Sequence, residues 1–174
     1  DHKPVGEGNT GPNTGGMGVV CPHPHFDEAA RTRFRRDVLA PTLDGIRAEG
    51  LDYRGVLYFG LMVTSHGIFV LEYNVRLGDP EAQAVLPLLE VDLGALAYTT
   101  ATGSLRSLSV PPPQQASCVV VAASGGYPGA YDTGLPIRGI EACEGPVFMA
   151  GVSDDDGRLR TGGGQGTRPD ESRS

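Results

Sequence analysis

A fold of mixed helices and strands follows from three features of the 174-residue sequence. Two apolar runs rich in strand formers, GVLYFGLMV at residues 55–63 and GIFVL at 67–71, are joined by turn residues at 64–67 and read as an antiparallel hairpin. Stretches with apolar residues three and four apart flank it, at residues 27–48 and 80–102, and read as amphipathic helices. Pro111, Pro112 and Pro113 then form a stiff connector to another apolar strand, ASCVVVAA at 116–123.

In chain order, residues 1–18, DHKPVGEGNTGPNTGGMG, read as a loop with almost no apolar content. GEGNTG at 6–11 fits G-x-G-x-x-G, but no strand precedes it and Pro12 follows where a helix must open, so it is no dinucleotide fingerprint. GPNTGG at 11–16 fits G-x-x-x-x-G, yet Met17 and Gly18 stand in place of Lys-Ser/Thr, which excludes a P-loop. Gly15, Gly16 and Gly18 still permit close backbone approach and offer amide N–H groups to an anion. His23 and His25 flank Pro24 with no further ligands at metal spacing, so this stretch reads as a solvent loop. Asp27 is a good N-cap for a helix reaching Leu39, with Glu28 in its first turn and Phe34 and Val38 on one face. Pro41 is expected to interrupt it and start a second piece through Ala48, with Leu43 and Ile46 inward and Gly50 closing. Arg31, Arg33, Arg35 and Arg36 form its solvated face.

The second hairpin strand is expected to continue through LEYNVR at 71–76. Alternation points Glu72, Asn74 and Arg76 one way and gives Leu71, Tyr73 and Val75 the core side. A carboxylate and an amide oxygen are hard ligands suited to magnesium, and a guanidinium supplies a phosphate fork. The same spacing is the ordinary solvated face of a half-buried strand, and spacing alone leaves both readings open. Gly78 and Pro80 break the strand, with Asp79 and Glu81 where a helix can begin. Helices are expected over 80–90 and 92–102, the second capped by Asp92 and stopped by Gly103. Beyond the prolines come a turn-rich loop at 124–134, a strand at 147–152 and a polar, patternless end from residue 161.

Composition excludes several classes. A formal net charge of −7 and pI near 5.0 leave no basic field for a nucleic-acid backbone or an anionic membrane. No apolar run approaches the ~20 residues of a membrane span, and the start DHKP does not read as a signal peptide. Cys21, Cys118 and Cys143 are odd in number and lack C-x-x-C spacing, so a reducing, cytoplasmic setting is expected.

Three motifs carry a resemblance. RLGDPEAQ at 76–83, DHK at 1–3 followed by GPNTGGMG at 11–18, and VVVAASGGYPG at 119–129 together resemble the phosphoribosylamine-glycine ligases, the glycinamide ribonucleotide synthetases of purine biosynthesis within the ATP-grasp superfamily. The resemblance implies an α+β fold, with the second lobe of an ATP-grasp domain over residues 1–103 and the start of a small C-terminal α/β domain at 116–160, while composition places a linker at 104–115 and a disordered tail at 161–174. It implies ligation of glycine to 5-phosphoribosylamine with ATP and Mg2+ or Mn2+, and no nucleic-acid or membrane partner. On this resemblance Glu72 and Asn74 hold the metal, Arg76 meets the nucleotide phosphates, and Asp79 orients the site. Asp1, Lys3, Asn13, Thr14, Gly15 and Gly16 become substrate contacts. The acidic ligand that many ATP-grasp enzymes carry on the first hairpin strand is absent, since that run offers only Gly60, Leu61 and Met62. The lid, the phosphate lysine and the strand linking the lobes would precede Asp1, so residues 1–174 alone are expected to be inactive. Another ATP-grasp carboxylate-amine ligase, or a non-catalytic binding module, is the alternative.

Overall fold

The computed structural model describes residues 1–163, whose helices and small strand pairs give the α+β class expected. The N-terminal segment, expected as a loop, contains a short antiparallel hairpin. β1 (Pro4–Gly6) and β2 (Thr10–Asn13) pair Pro4 with Asn13 and Gly6 with Thr10 across a 3-10 turn. The chain reverses through left-handed Gly8 and Asn9, at φ 65° and 60°. Main-chain bonds hold a segment that has little to bury, which composition could not reveal. β3 (Gly18–Cys21) follows.

Asp27 caps as expected, its Oδ1 accepting from the Ala30 N–H at 2.8 Å to open α1 (Glu28–Phe34). The helix does not break at Pro41. A π turn over Arg35–Leu39, in which the Ala40 N–H reaches the Arg35 carbonyl, leads straight into α2 (Ala40–Ala48). The wider turn takes up the proline, which has no N–H to give the residue four back. Buried Val38 and half-buried Thr42 and Ile46 form the inner line, whereas Leu43, expected inward, is exposed.

β4 (Tyr58–Thr64) and β5 (Gly67–Asn74) form the expected hairpin. Tyr58 faces Asn74, Phe59 faces Tyr73 and Gly60 faces Glu72, then the register jumps so that Leu61 faces Val70. Leu71 is the extra residue of a β-bulge. One face carries Phe59, Leu61, Ile68, Val70 and Tyr73 toward the helices. Phe59 stacks edge-on between Phe34 and Tyr73, at centroid distances of 5.2 and 5.3 Å, and Tyr73 Oη lies 3.0 Å from Thr42 Oγ1. The core side expected of Leu71, Tyr73 and Val75 is therefore corrected. Tyr73 faces the helices, Leu71 is 64% exposed at the bulge, and Val75 is 73% exposed beyond the strand end. The strand stops at Asn74 and the chain bends at Val75 and Arg76, so Arg76 leaves the strand face assigned to it.

The turn that follows is packed hard, with Gly78, Pro80 and Ala84 buried. α3 (Glu81–Val85) is shorter than expected and tightens into a 3-10 turn, Leu86–Leu88, around Pro87. α4 (Leu93–Ala101) is capped by Asp92, which accepts from Ala95 N–H at 2.6 Å, and Gly103 ends it at φ 72°. Only Ser117–Val120 of the expected 116–123 strand forms, as β6, and it pairs with β3. The strand expected at 147–152 does not form. Val147, Phe148 and Met149 stand about half exposed, and pairing begins at Val152, in the hairpin of β7 (Val152–Asp155) and β8 (Arg158–Thr161). Thr161, assigned to the tail, closes β8, and the rest of that assignment, from residue 164, lies outside the described residues.

Contacts divide the chain into two compact units, Val20–Cys118 and Asp1–Val19 with the chain from Val119 onward. This differs from the boundary placed at 104–115. Long-range hydrogen bonds explain it, since the Val121 N–H meets the Met17 carbonyl at 2.9 Å and the Gly15 N–H meets Tyr127 Oη at 3.2 Å. Among the described residues no single helix is long and apolar enough to cross a membrane. Because Asp27 supplies the only side-chain cap recorded at the start of α1, Asp27→Ala should cost about 1 kcal/mol and Asp27→Asn much less. Urea denaturation midpoints of the two variants check this.

Candidate functional site

The face of the β4–β5 hairpin turned away from the helices carries Tyr58, Gly60, Glu72 and Asn74. Gly60 is there for space. A Cβ at this position would lie 2.7 Å from Glu72 Cγ and 3.5 Å from its Cδ, so the missing side chain is the bed on which the Glu72 carboxylate lies. Glu72 is exposed and Asn74 half-buried, and the two present a carboxylate and an amide oxygen on one side of one strand. Arg76, placed by the bend and exposed, donates to the Leu77 carbonyl at 2.9 Å. Asp79 accepts from Gln83 Nε2 at 2.9 Å, while Gln83 Oε1 is buried with no partner among the described residues.

Two further groups join this cluster. Tyr58 Oη donates to Glu81 Oε1 at 2.9 Å, and the Glu81 carboxylate folds over Gly78, where any Cβ would collide with it. Burial, the bond to Glu81 and the negative charges of Glu81 and Glu72 push the Tyr58 phenol up to about 12, against a smaller opposing pull from Arg76. The fold thus favours protonated Tyr58. That contribution is whole below the ordinary tyrosine value near 10 and is lost as pH rises through about 12. The sequence reading missed Tyr58 and Glu81, and met Gly60 only as a place where an acid is absent. Pairing the hairpin strands residue by residue from the turn would have set Tyr58 beside Tyr73, and only the bulge brings it beside Asn74.

The N-terminal candidates belong to the other unit. Lys3 Nζ bridges Asp1 Oδ2 at 2.7 Å and the Gly15 carbonyl at 3.0 Å, with the Asp1 side chain only 9% exposed. The Thr14 N–H and hydroxyl both donate to the Lys3 carbonyl, and Thr14 Oγ1 accepts from the Gly16 N–H at 3.0 Å. Asp1, Lys3, Thr14, Gly15 and Gly16 are thereby one bonded cluster, and Asn13 sits exposed at the end of β2.

The donor set fits a hard divalent cation. No group of three His, Cys, Asp or Glu gathers among the described residues, so a cation on Glu72 and Asn74 would draw the rest of its shell from phosphate and water. That is how magnesium is usually held.

The phosphoribosylglycinamide synthetase ATP-grasp (A) domain is matched by residues 1–82, and the C domain of the same synthetase by residues 117–166. A phosphoribosylamine-glycine ligase of Clostridium acetobutylicum is 45% identical over 165 residues, 95% of this chain and 40% of the relative. One from Synechocystis is 47% identical over 174 residues, with 95% and 41% covered. The crystal structure of phosphoribosylamine-glycine ligase from Thermotoga maritima superposes with a TM-score of 0.79 at 36% identity, covering 95% of this chain and 41% of that one. The chain therefore spans about two fifths of the length of these relatives. Two domains of one synthetase together account for about three quarters of the sequence, and the chain belongs to the phosphoribosylglycinamide synthetase family.

Proposed function

We propose that this chain is the metal- and phosphate-binding part of an ATP-dependent phosphoribosylamine-glycine ligase, with residues 1–103 from the second lobe of its ATP-grasp domain. The observation that carries this reading is the pairing of Glu72 with Asn74 on one hairpin face, over a glycine that clears room for the carboxylate, inside the segment matched to the ATP-grasp domain. In the reaction the glycine carboxylate takes the γ-phosphoryl group of ATP, releasing ADP. The amine of 5-phosphoribosylamine then attacks the acyl carbon and phosphate leaves, giving glycinamide ribonucleotide. Neither step needs a covalent nucleophile from the protein, so catalysis rests on positioning and charge.

Glu72 and Asn74 are assigned to hold Mg2+ or Mn2+, which when bound neutralises phosphate charge. Arg76 offers its fork to the same phosphates, and Asp79, braced by Gln83, orients the turn. Gly15 and Gly16 have amides already bonded within their unit, so they set the shape of the N-terminal segment. Asp1, Lys3, Asn13 and Thr14 are assigned to substrate contact, and half-exposed Lys3 and exposed Asn13 keep polar ends that a small polar substrate can reach. Free Cys21, Cys118 and Cys143 suit a reducing cytoplasm.

In a complete ligase carrying this segment, Asn74→Ala should raise the magnesium needed for half-maximal rate by about tenfold or more, with the unfolding midpoint unchanged. A magnesium titration of glycine-dependent ADP release measures it, and an unmoved midpoint of that titration would remove Asn74 from the site. Activity with another acid and none with glycine would favour a different carboxylate-amine ligase. Residues 1–174 alone should give no turnover, because the hairpin face is open to water and an acyl phosphate needs enclosure. Calorimetry with magnesium-ATP and a coupled ADP assay on the purified chain test this, and tight binding with steady turnover would refute it.

A further inference from the structure

We propose that Tyr58 is a positioning residue, which through its hydrogen bond to Glu81 ties the turn bearing Arg76 to the strand pair bearing Glu72 and Asn74 and so sets the affinity of that face for a nucleotide polyphosphate. This rests on the functional reading above and deepens it. Strand pairing ends at Tyr58 and Asn74, so nothing in the ladder fixes residues 75–80. The Arg76 hydrogen bond recorded among the described residues goes to Leu77, its own neighbour, and cannot anchor it to the hairpin. The anchor lies on the far side of the turn. Glu81 packs its carboxylate over Gly78, the Ala82 N–H bonds the Gly78 carbonyl at 3.0 Å, Pro80 is fully buried, and Tyr58 reaches across from β4 to hold Glu81 at 2.9 Å.

The chemistry suits a fixed strut. A tyrosine hydroxyl is protonated at any working pH, so Tyr58 donates and Glu81 accepts. The bond is charge-assisted and part-buried, the kind that holds geometry most firmly. Engaging Glu81 also keeps a second carboxylate from swinging toward the phosphates that Arg76 is to meet. A guanidinium misplaced by an ångström loses bidentate contact while its charge stays nearby, so the effect falls on nucleotide affinity more than on glycine.

The test uses the complete ligase carrying this segment. Tyr58→Phe should raise KM for magnesium-ATP, and Kd for a magnesium complex of a non-hydrolysable ATP analogue, by about tenfold, leaving KM for glycine near wild type. Glu81→Ala should match it. With Arg76→Ala already in place, Tyr58→Phe should add nothing further to Kd, because the strut then has nothing to position. Unchanged nucleotide affinity in Tyr58→Phe, a loss confined to the unfolding midpoint, or losses that add to those of Arg76→Ala would each overturn the proposal. Were the wild-type enzyme to release no ADP with glycine, the functional reading alone would fall, and the calorimetric Kd comparison would still decide the role of Tyr58.

Discussion

The register of the β4–β5 hairpin is the constraint on which the candidate site depends. Side chains alternate along a strand, so a slip of one residue exchanges its two faces. The bulge at Leu71 makes one such exchange on purpose of geometry: Ile68 and Val70 face the helices, whereas Glu72 and Asn74, at the same parity, face away. An unbulged strand that kept Ile68 and Val70 inward would also have turned Glu72 and Asn74 into the helix layer, where an unpaired carboxylate is costly. The extra residue lets one strand serve the core over its first half and the site over its second. Gly60 completes the device by standing opposite Glu72, the one place on β4 where a side chain would fill the space the carboxylate takes.

Legibility in the sequence followed the range of the interactions involved. Asp27 and Asp92 cap their helices as read, because a cap is settled within a few residues. The hairpin was also legible, since two strand-forming runs around a short turn have few other partners. The bulge was not, because Leu71 is an ordinary strand residue and only the pairing of Gly60 with Glu72 and Leu61 with Val70 exposes it. Pro41 misled for the opposite reason. It is a strong local signal for a break, but the π turn ahead of it removes the need for one. Arg76 was expected on the strand face of Glu72 and Asn74, and that alternation argument fails, since the strand ends at Asn74 and a bend places Arg76.

The apolar surface carries a second constraint. Val19, Ala30, Val38 and Ala84 are the buried hydrophobic residues among those described, while Met62, Phe69, Leu71, Val75 and Leu77 are exposed along the hairpin and its turn. Isolated exposed residues of this kind are commonplace, but a contiguous run on one element is not. Leu71 and Val75 read as core in the sequence because hydrophobic identity is local, whereas burial depends on what else the fold supplies. In the relatives the matching segment belongs to chains about two and a half times as long.

Charge divides the labour between two acids. Glu72 and Glu81 both lie near enough to Tyr58 to raise its affinity for its proton, so three oxygen-bearing groups share a small region. Only Glu81 is bonded to the phenol, and only Glu81 folds back over a glycine of its own turn. Its negative charge is thereby spent on holding the turn, and its free rotation is gone. Glu72 lies over Gly60 with its carboxylate exposed, which is the state a hard cation requires of a ligand. A second unbonded carboxylate would have competed for the cation and repelled the phosphates that Arg76 is assigned to meet. Tyr58 engages Glu81 with a neutral donor instead of a second cation, so the turn is tied down without positive charge being added beside the proposed metal position.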